Sequence, residues 1–260
     1  MIVVAALYRF TRISNVEETR SSLERLLQAG GVKGTVIIAE EGLNGTVAGE
    51  RASIDVLRSF LQADQRFAGM EYKESFADVR PFKRLKVKVK NEIVTMGWDP
   101  IDPGAAAGTH VDAHTWNELL NDPKVTVIDV RNDFEVAMGS FKNAINPNTK
   151  KFSDFSHFVQ RHLSPTNNKI IAMSCTGGIR CEKASSFLKA QGFPEVYQLK
   201  GGILQYLQDT PKDQSLWYGD CFVFDDRVAL NHDLTPAHRT HRHGEPALLR
   251  GLYPSSWRAA

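Results

Sequence analysis

The chain has 260 residues, a length that fits one large domain or two ordinary ones. With 42% hydrophobic and 24% charged residues it is not a disordered protein, and a formal net charge of +2 is too small to imply a nucleic-acid partner without a local cluster of cations. Three irregularly spaced cysteines make no disulfide framework and suit a reducing cytoplasm, and no apolar run approaches membrane-spanning length.

The opening "MIVVAALYRF" is apolar without a basic leader, so it reads as a first strand over residues 2–8 rather than a signal peptide. Residues 16–29 carry Val16, Leu23, Leu26 and Leu27 at helical spacing, with Asn15 as N-cap and Gly30 as the stop. Two β-rich runs, 35–39 and 45–48, flank Gly42 and an Asn44-Gly45 pair, which is a hairpin signal. A second amphipathic helix over 51–63 presents Ile54, Leu57, Phe60 and Leu61, and "LKVKVKNEIVTMG" alternates strictly. Strand, helix, hairpin, helix, strand is a ferredoxin-like α+β order, expected over 1–97. The Pro-, Gly- and Ala-rich 98–111 is the expected linker. Beyond it, "VDAHTWNELL" is a helix capped by Asp112, and "KVTVIDVR", "KIIAMSC" and "EVYQLKGGI" are short strands separated by helical stretches, one of them 181–191. That alternation predicts a parallel-sheet α/β domain over 112–214, with its ligand site beyond the carboxyl ends of the strands. Residues 215–260 form a C-terminal extension and a polar tail containing His232, His238, His241 and His243. A metal site of histidines alone has no cysteine partner and no firm helical spacing there, so no metal is expected.

Cys175 lies at such a strand end, followed by Thr176, Gly177, Gly178, Ile179 and Arg180. The two glycines permit positive φ and close backbone approach, so the loop's N–H groups form a nest around the sulfur. The following helix and Arg180 add positive charge, and the thiol should ionise below its free value of ~8.5. A thiolate or a cysteine persulfide is the anion such a ring would hold. Cysteine phosphatases space Cys and Arg one residue further apart, and the smaller ring here suits sulfur better than a tetrahedral phosphate. Cys181 is either a resolving thiol or a helical residue facing the sheet. Asp129 and Arg131, at a neighbouring strand end, line the pocket or pair with one another to fix it. Cys221 reads as structural.

"VIDVRNDFEVAMGSFKNAIN", "CTGGIR" and "VYQLKGGI" resemble the corresponding motifs of rhodanese domains. "EEGLNGTVAG", "RPFKRLKVKVKNEIVTMG", "SCTGGIRCEKAS" and "GDCFVFDDRVAL" resemble the rhodanese-related tRNA uridine(34) hydroxylase family, TrhO, over about residues 1–232. The resemblance implies a cytoplasmic oxidoreductase of tRNA modification. Its substrate is the wobble uridine in the tRNA anticodon, its product 5-hydroxyuridine, its co-substrate molecular oxygen, and its active cysteine Cys175. Glu41 and Asn44 fall in one of these signatures. Longer relatives often carry paired cysteines after "FDDRVA", and this tail has none. No nucleotide-binding glycine fingerprint or two-His-one-carboxylate pattern points to a bound cofactor.

A tRNA partner makes the alternation of Arg84, Lys86, Lys88 and Lys90 with apolar residues significant. On a strand the four cations form one stripe spaced about 6.6–6.8 Å, close to phosphate spacing, although a solvated face or edge-guarding lysines would look the same. Two other functions fit the motifs: a sulfurtransferase passing sulfane sulfur from thiosulfate or a persulfide to an acceptor, and a non-catalytic RNA-binding adaptor.

Overall fold

The structure, a computed structural model, describes residues 1–98 and 102–237. The first domain runs β1 (Ile2–Phe10), α1 (Val16–Ala29), β2 (Lys33–Ala39), β3 (Gly42–Gly49), α2 (Arg51–Gln62), β4 (Glu71–Ala77) and β5 (Leu85–Val89). Its five strands lie in the order β4-β1-β3-β2-β5, antiparallel except for β2 with β5. Val3, Ala5 and Leu7 of β1 join Val36, Ile38, Leu43, Val47 and Val87 in one buried cluster with Leu23 and Leu27 of α1 and Ile54 and Leu57 of α2. Burying such a side chain contributes roughly 1.5–3 kcal/mol, so this apolar face fixes the register. Alternation then turns Tyr8, Asn44, Thr46, Thr35, Lys73, Lys86 and Lys88 to the face without helices.

Three local expectations need correction. The hairpin turn is Glu40–Glu41, and the Asn44-Gly45 pair lies inside β3. Asn44 instead donates to the Ile93 carbonyl at 2.9 Å. An additional edge strand, β4, pairs with β1, and its charged sequence EYKESFA lacks the apolar alternation of its neighbours. The chain also leaves the first domain before residue 97: Val94, Met96 and Trp98 already pack in the second domain's core, Trp98 edge-on to Phe187.

The expected linker, 98–111, contains structure that belongs to the second domain. A short α3 (Pro103–Ala106) precedes β6 (Thr109–Val111), which pairs with the second sheet. Then come α4 (Ala113–Asn121), β7 (Val125–Asp129), α5 (Asp133–Val136), β8 (Gly139–Phe141), α6 (Phe155–His162), β9 (Ile170–Ser174), α7 (Ile179–Ala190), β10 (Glu195–Leu199) and α8 (Gly202–Asp209). The sheet order is β6-β10-β9-β7, and every pairing is parallel. Apolar clusters on its two faces bury Phe155, Phe187 and Leu188 on one side and Trp116, Ile203 and Tyr206 on the other. Helices on both faces of parallel strands put the reactive loops at the strands' carboxyl ends.

The domains are joined by buried polar contacts. Lys183 of α7, 3% exposed, reaches Glu92 at 2.5 Å and Glu41 at 2.9 Å. Near the C-terminus Arg227, held by Asp225, donates to Ser75 of β4 at 2.8 Å, and the Asp226 N–H donates to the Pro81 carbonyl.

Candidate active site

Cys175 follows β9, with no solvent exposure. The Gly178 N–H donates to its sulfur at 3.2 Å. Gly178 has φ +105°, and a Cβ there would come within 2.8 Å of the Tyr8 hydroxyl, so glycine is required twice over. Gly177 differs from the expectation: it has no positive φ, and a Cβ on it would meet nothing within 4 Å. It leaves open space beside the half-buried Thr176 and Ile179. The second glycine pair, Gly201-Gly202, closes the loop from below. A Cβ on Gly202 would approach the Thr176 carbonyl and the Gly178 nitrogen to 2.8 Å. The first N–H groups of α8, from Ile203 and Leu204, donate to the Cys175 and Thr176 carbonyls at 2.9 and 3.1 Å.

Burial alone would push the Cys175 thiol up. A hydrogen bond from the Cys181 thiol, the charge of Arg180, and the Cys181 and Gly178 N–H groups outweigh it and pull the thiol down to about 6. Cys181, also fully buried, is driven the other way by burial and by the Cys175 charge, so the shared proton rests on Cys181. Arg180 does not point freely at the sulfur. Its guanidinium grips Glu135 through two bonds of 2.6 and 2.8 Å and reaches Thr176 Oγ1 at 3.2 Å. Glu135 is fully buried and also accepts from the Asn132 N–H. Asp129 and Arg131 are both fully buried and bound to each other at 2.6 and 2.8 Å, with Arg131 also reaching the Gly139 carbonyl. They fix the strand end. Burial lifts the Cys221 thiol to about 12.

The first domain supplies the roof. Tyr8 of β1 donates to Glu182 at 3.2 Å, and Glu182 also meets His110 at 2.9 Å and Gln198 at 3.0 Å. Burial, then the charges of Glu182 and Glu71, push the Tyr8 hydroxyl far above its ordinary value, so it stays protonated. The Glu182 hydrogen bond lifts His110 against the effect of its burial. Lys73 of β4 donates to the Gly201 carbonyl. The sequence assigned no role to Tyr8, Lys73, Glu135 or Glu182, although Glu135 and Glu182 stood inside quoted motifs.

Arg84, Lys86, Lys88 and Lys90 lie on or beside the edge strand β5. Lys86 and Lys88 face the same way as Tyr8 and Lys73. The Lys86 ammonium is buried without a hydrogen-bond partner; loss of hydration, then Arg84 and Lys88, lower its pKa. His232 sits beside the Lys212–Asp233 ion pair. His238, His241 and His243 lie outside the described residues. Among the described residues no three metal-ligating side chains converge, and no helix is long and apolar enough to cross a membrane.

Residues 2–93 match the family model described as UPF0176 acylphosphatase like domain, and residues 112–209 match Rhodanese-like domain. Similar solved structures include a rhodanese-like domain from Anabaena sp., 21% identical over 42% of this chain and 78% of that one, TM-score 0.35. Another, from Staphylococcus aureus, is 26% identical over 38% of this chain and 90% of that one, TM-score 0.32. An acylphosphatase from Coxiella burnetii is 18% identical over 34% of this chain and 90% of that one, TM-score 0.27. The chain thus joins a UPF0176-type, acylphosphatase-like N-terminal domain of ferredoxin type to a rhodanese-like domain whose loop cysteine is Cys175.

Proposed function

We propose that the protein hydroxylates the wobble uridine (position 34) of tRNA to 5-hydroxyuridine, with molecular oxygen as co-substrate and Cys175 as the working sulfur. One observation carries this reading. The rhodanese-type thiol lies under the helix-free face of the UPF0176-type domain, and the far edge of that face bears Arg84, Lys86, Lys88 and Lys90. The sheet is five strands wide, so four spacings of about 4.8 Å separate Lys73 from Lys86, roughly 19 Å. A stretch of about three nucleotides covers that distance, and phosphates on the exposed Arg84, Lys88 and Lys90 of the stripe would give affinity while an unstacked base reaches the loop.

In this reading the Cys175 thiolate adds to C6 of the flipped uridine. The C6–S bond forms as the C5=C6 π pair moves toward C5 and O4. One atom of O2 goes to C5, the other leaves as water, and an external reductant supplies two electrons with two protons. Loss of the C5 proton and of the sulfur restores the ring. N–H groups of the loop stabilise the developing negative charge. The space beside Gly177 is where the base edge enters.

The test is deletion of the gene, mass spectrometry of tRNA nucleosides, and restoration with wild type or Cys175→Ala. The reading expects 5-hydroxyuridine derivatives to vanish and only the wild type to restore them. Nucleosides unchanged by deletion would sink it. The second reading, a sulfurtransferase, is favoured by the rhodanese-like match and by the anionic sulfur ring; it expects thiosulfate or persulfide turnover lost in the same variant. An adaptor without chemistry has no use for a thiol held near 6.

A further inference from the structure

Two cations flank the thiol loop, and they are not equivalent. Arg180 is shared with the Glu135 carboxylate, in a pair almost without exposure, so the charge it lends the sulfur is partly balanced within its own domain. Lys73 comes from a different domain and, among the described residues, makes no ion pair. Its hydrogen bond is to the Gly201 carbonyl. Gly201 is followed by Gly202, which packs against the Cys175 and Thr176 carbonyls and the Gly178 nitrogen. Lys73 is thus anchored one residue from the wall of the sulfur ring. Beside it on the same sheet face, Tyr8 touches Gly178 from the other side.

We propose that Lys73 is part of the active site: an ammonium delivered by the first domain to the sulfur ring of the second, where it balances the negative charge of the Cys175 thiolate or persulfide. The surrounding charges agree. Cys175 is faced by Cys181 and Arg180 from α7, with Glu135 behind Arg180, and by Tyr8 from β1 and Lys73 from β4. Glu182 acts on Cys181 and Tyr8, while Glu71, two residues along the same strand face, acts on Lys73 most strongly, followed by Cys175 and Asp209. Burial lowers the Lys73 ammonium to about 8 against the pull of Glu71, Cys175 and Asp209, which leaves it charged at neutral pH. A buried ammonium without a carboxylate is costly unless an anion faces it. Glu71 forms no ion pair with it, and the sulfur is the anion on the second domain's side. Tyr8, held protonated, supplies no charge. The rhodanese-like domain alone therefore has an incomplete sulfur site.

The inference rests on Cys175 being the working sulfur, and its test needs no tRNA. The ultraviolet thiolate absorbance of the full chain is titrated against a Cys175→Ser blank. Wild type should ionise near pH 6. Lys73→Gln keeps a donor for the Gly201 carbonyl and removes the charge. It should raise the midpoint by about one unit or more, a tenfold loss of thiolate below it, while Lys73→Arg restores most of the shift. Circular dichroism establishes that each variant folds, and Lys73→Met is the second uncharged variant should Lys73→Gln not fold. A midpoint unmoved in the folded uncharged variant overturns the proposal and makes Lys73 a strut. Intact wobble nucleosides after gene deletion would instead overturn the hydroxylase reading and leave the titration result standing.

Discussion

The two faces of the first domain's sheet are built by opposite rules. The helix-covered face is apolar and self-sufficient: Val3, Leu7, Val36 and Val47 meet Leu23, Leu27, Ile54 and Leu57 without help from elsewhere. The bare face carries Tyr8, Asn44, Thr46, Lys73 and Lys86, groups that make little sense until the second domain is set beneath them. One face makes the domain fold. The other makes it part of a site, and several of its contacts end on the loop and helix that hold Cys175.

That contrast can be broken experimentally, beginning with the largest effect. Glu135→Ala leaves the Arg180 guanidinium buried and alone, and should cost about 3–5 kcal/mol in urea unfolding. Leu7→Ala, on the helix-covered face, should cost about 2–5 kcal/mol, whereas Thr46→Ala on the bare face should stay within about 0.5 kcal/mol. Equal losses from these two would erase the distinction between the faces. Gly178→Ala meets both a positive φ and the Tyr8 hydroxyl, and should cost about 1–3 kcal/mol, partly recovered in combination with Tyr8→Phe. Gly177→Ala should be near neutral in stability, so matching losses at the two glycines would contradict the loop geometry. The smallest effect concerns the basic edge. Lys88→Gln should weaken tRNA binding a few-fold, regardless of sequence, and lower the log–log salt slope by about 1. A salt slope identical to wild type would remove Lys88 from the contact.

The sequence made the apolar face readable because its signal is local. Helical spacing at Leu23 and Leu27, the apolar run of β1 and the alternation in β5 each fit within one window. β4 was missed because Glu71, Lys73, Glu74 and Ser75 interrupt any apolar alternation, although pairing with β1 holds it as a strand. Asn44-Gly45 misled because it carries a strong hairpin signal, while the actual turn uses Glu40–Glu41, whose neighbourhood anchors Lys183 and Ile93. The thiol loop was legible for the same reason as the core: six consecutive residues carry it. Arg180 was read as a cation for the sulfur, and nothing local says that Glu135, 45 positions away, takes it up. Lys73 is 128 positions from Gly201, a separation at which one sequence offers no pattern at all.

The Lys183 ammonium, almost fully covered and gripped by two carboxylates from across the junction, bears on how this protein can be dissected. Cutting the chain between its halves would strip that cation of both counterions and part Tyr8 and Lys73 from Glu182 and the Gly201 carbonyl. The isolated halves should therefore be poorer folders than the intact molecule, and calorimetry of the whole should record a single endotherm rather than two.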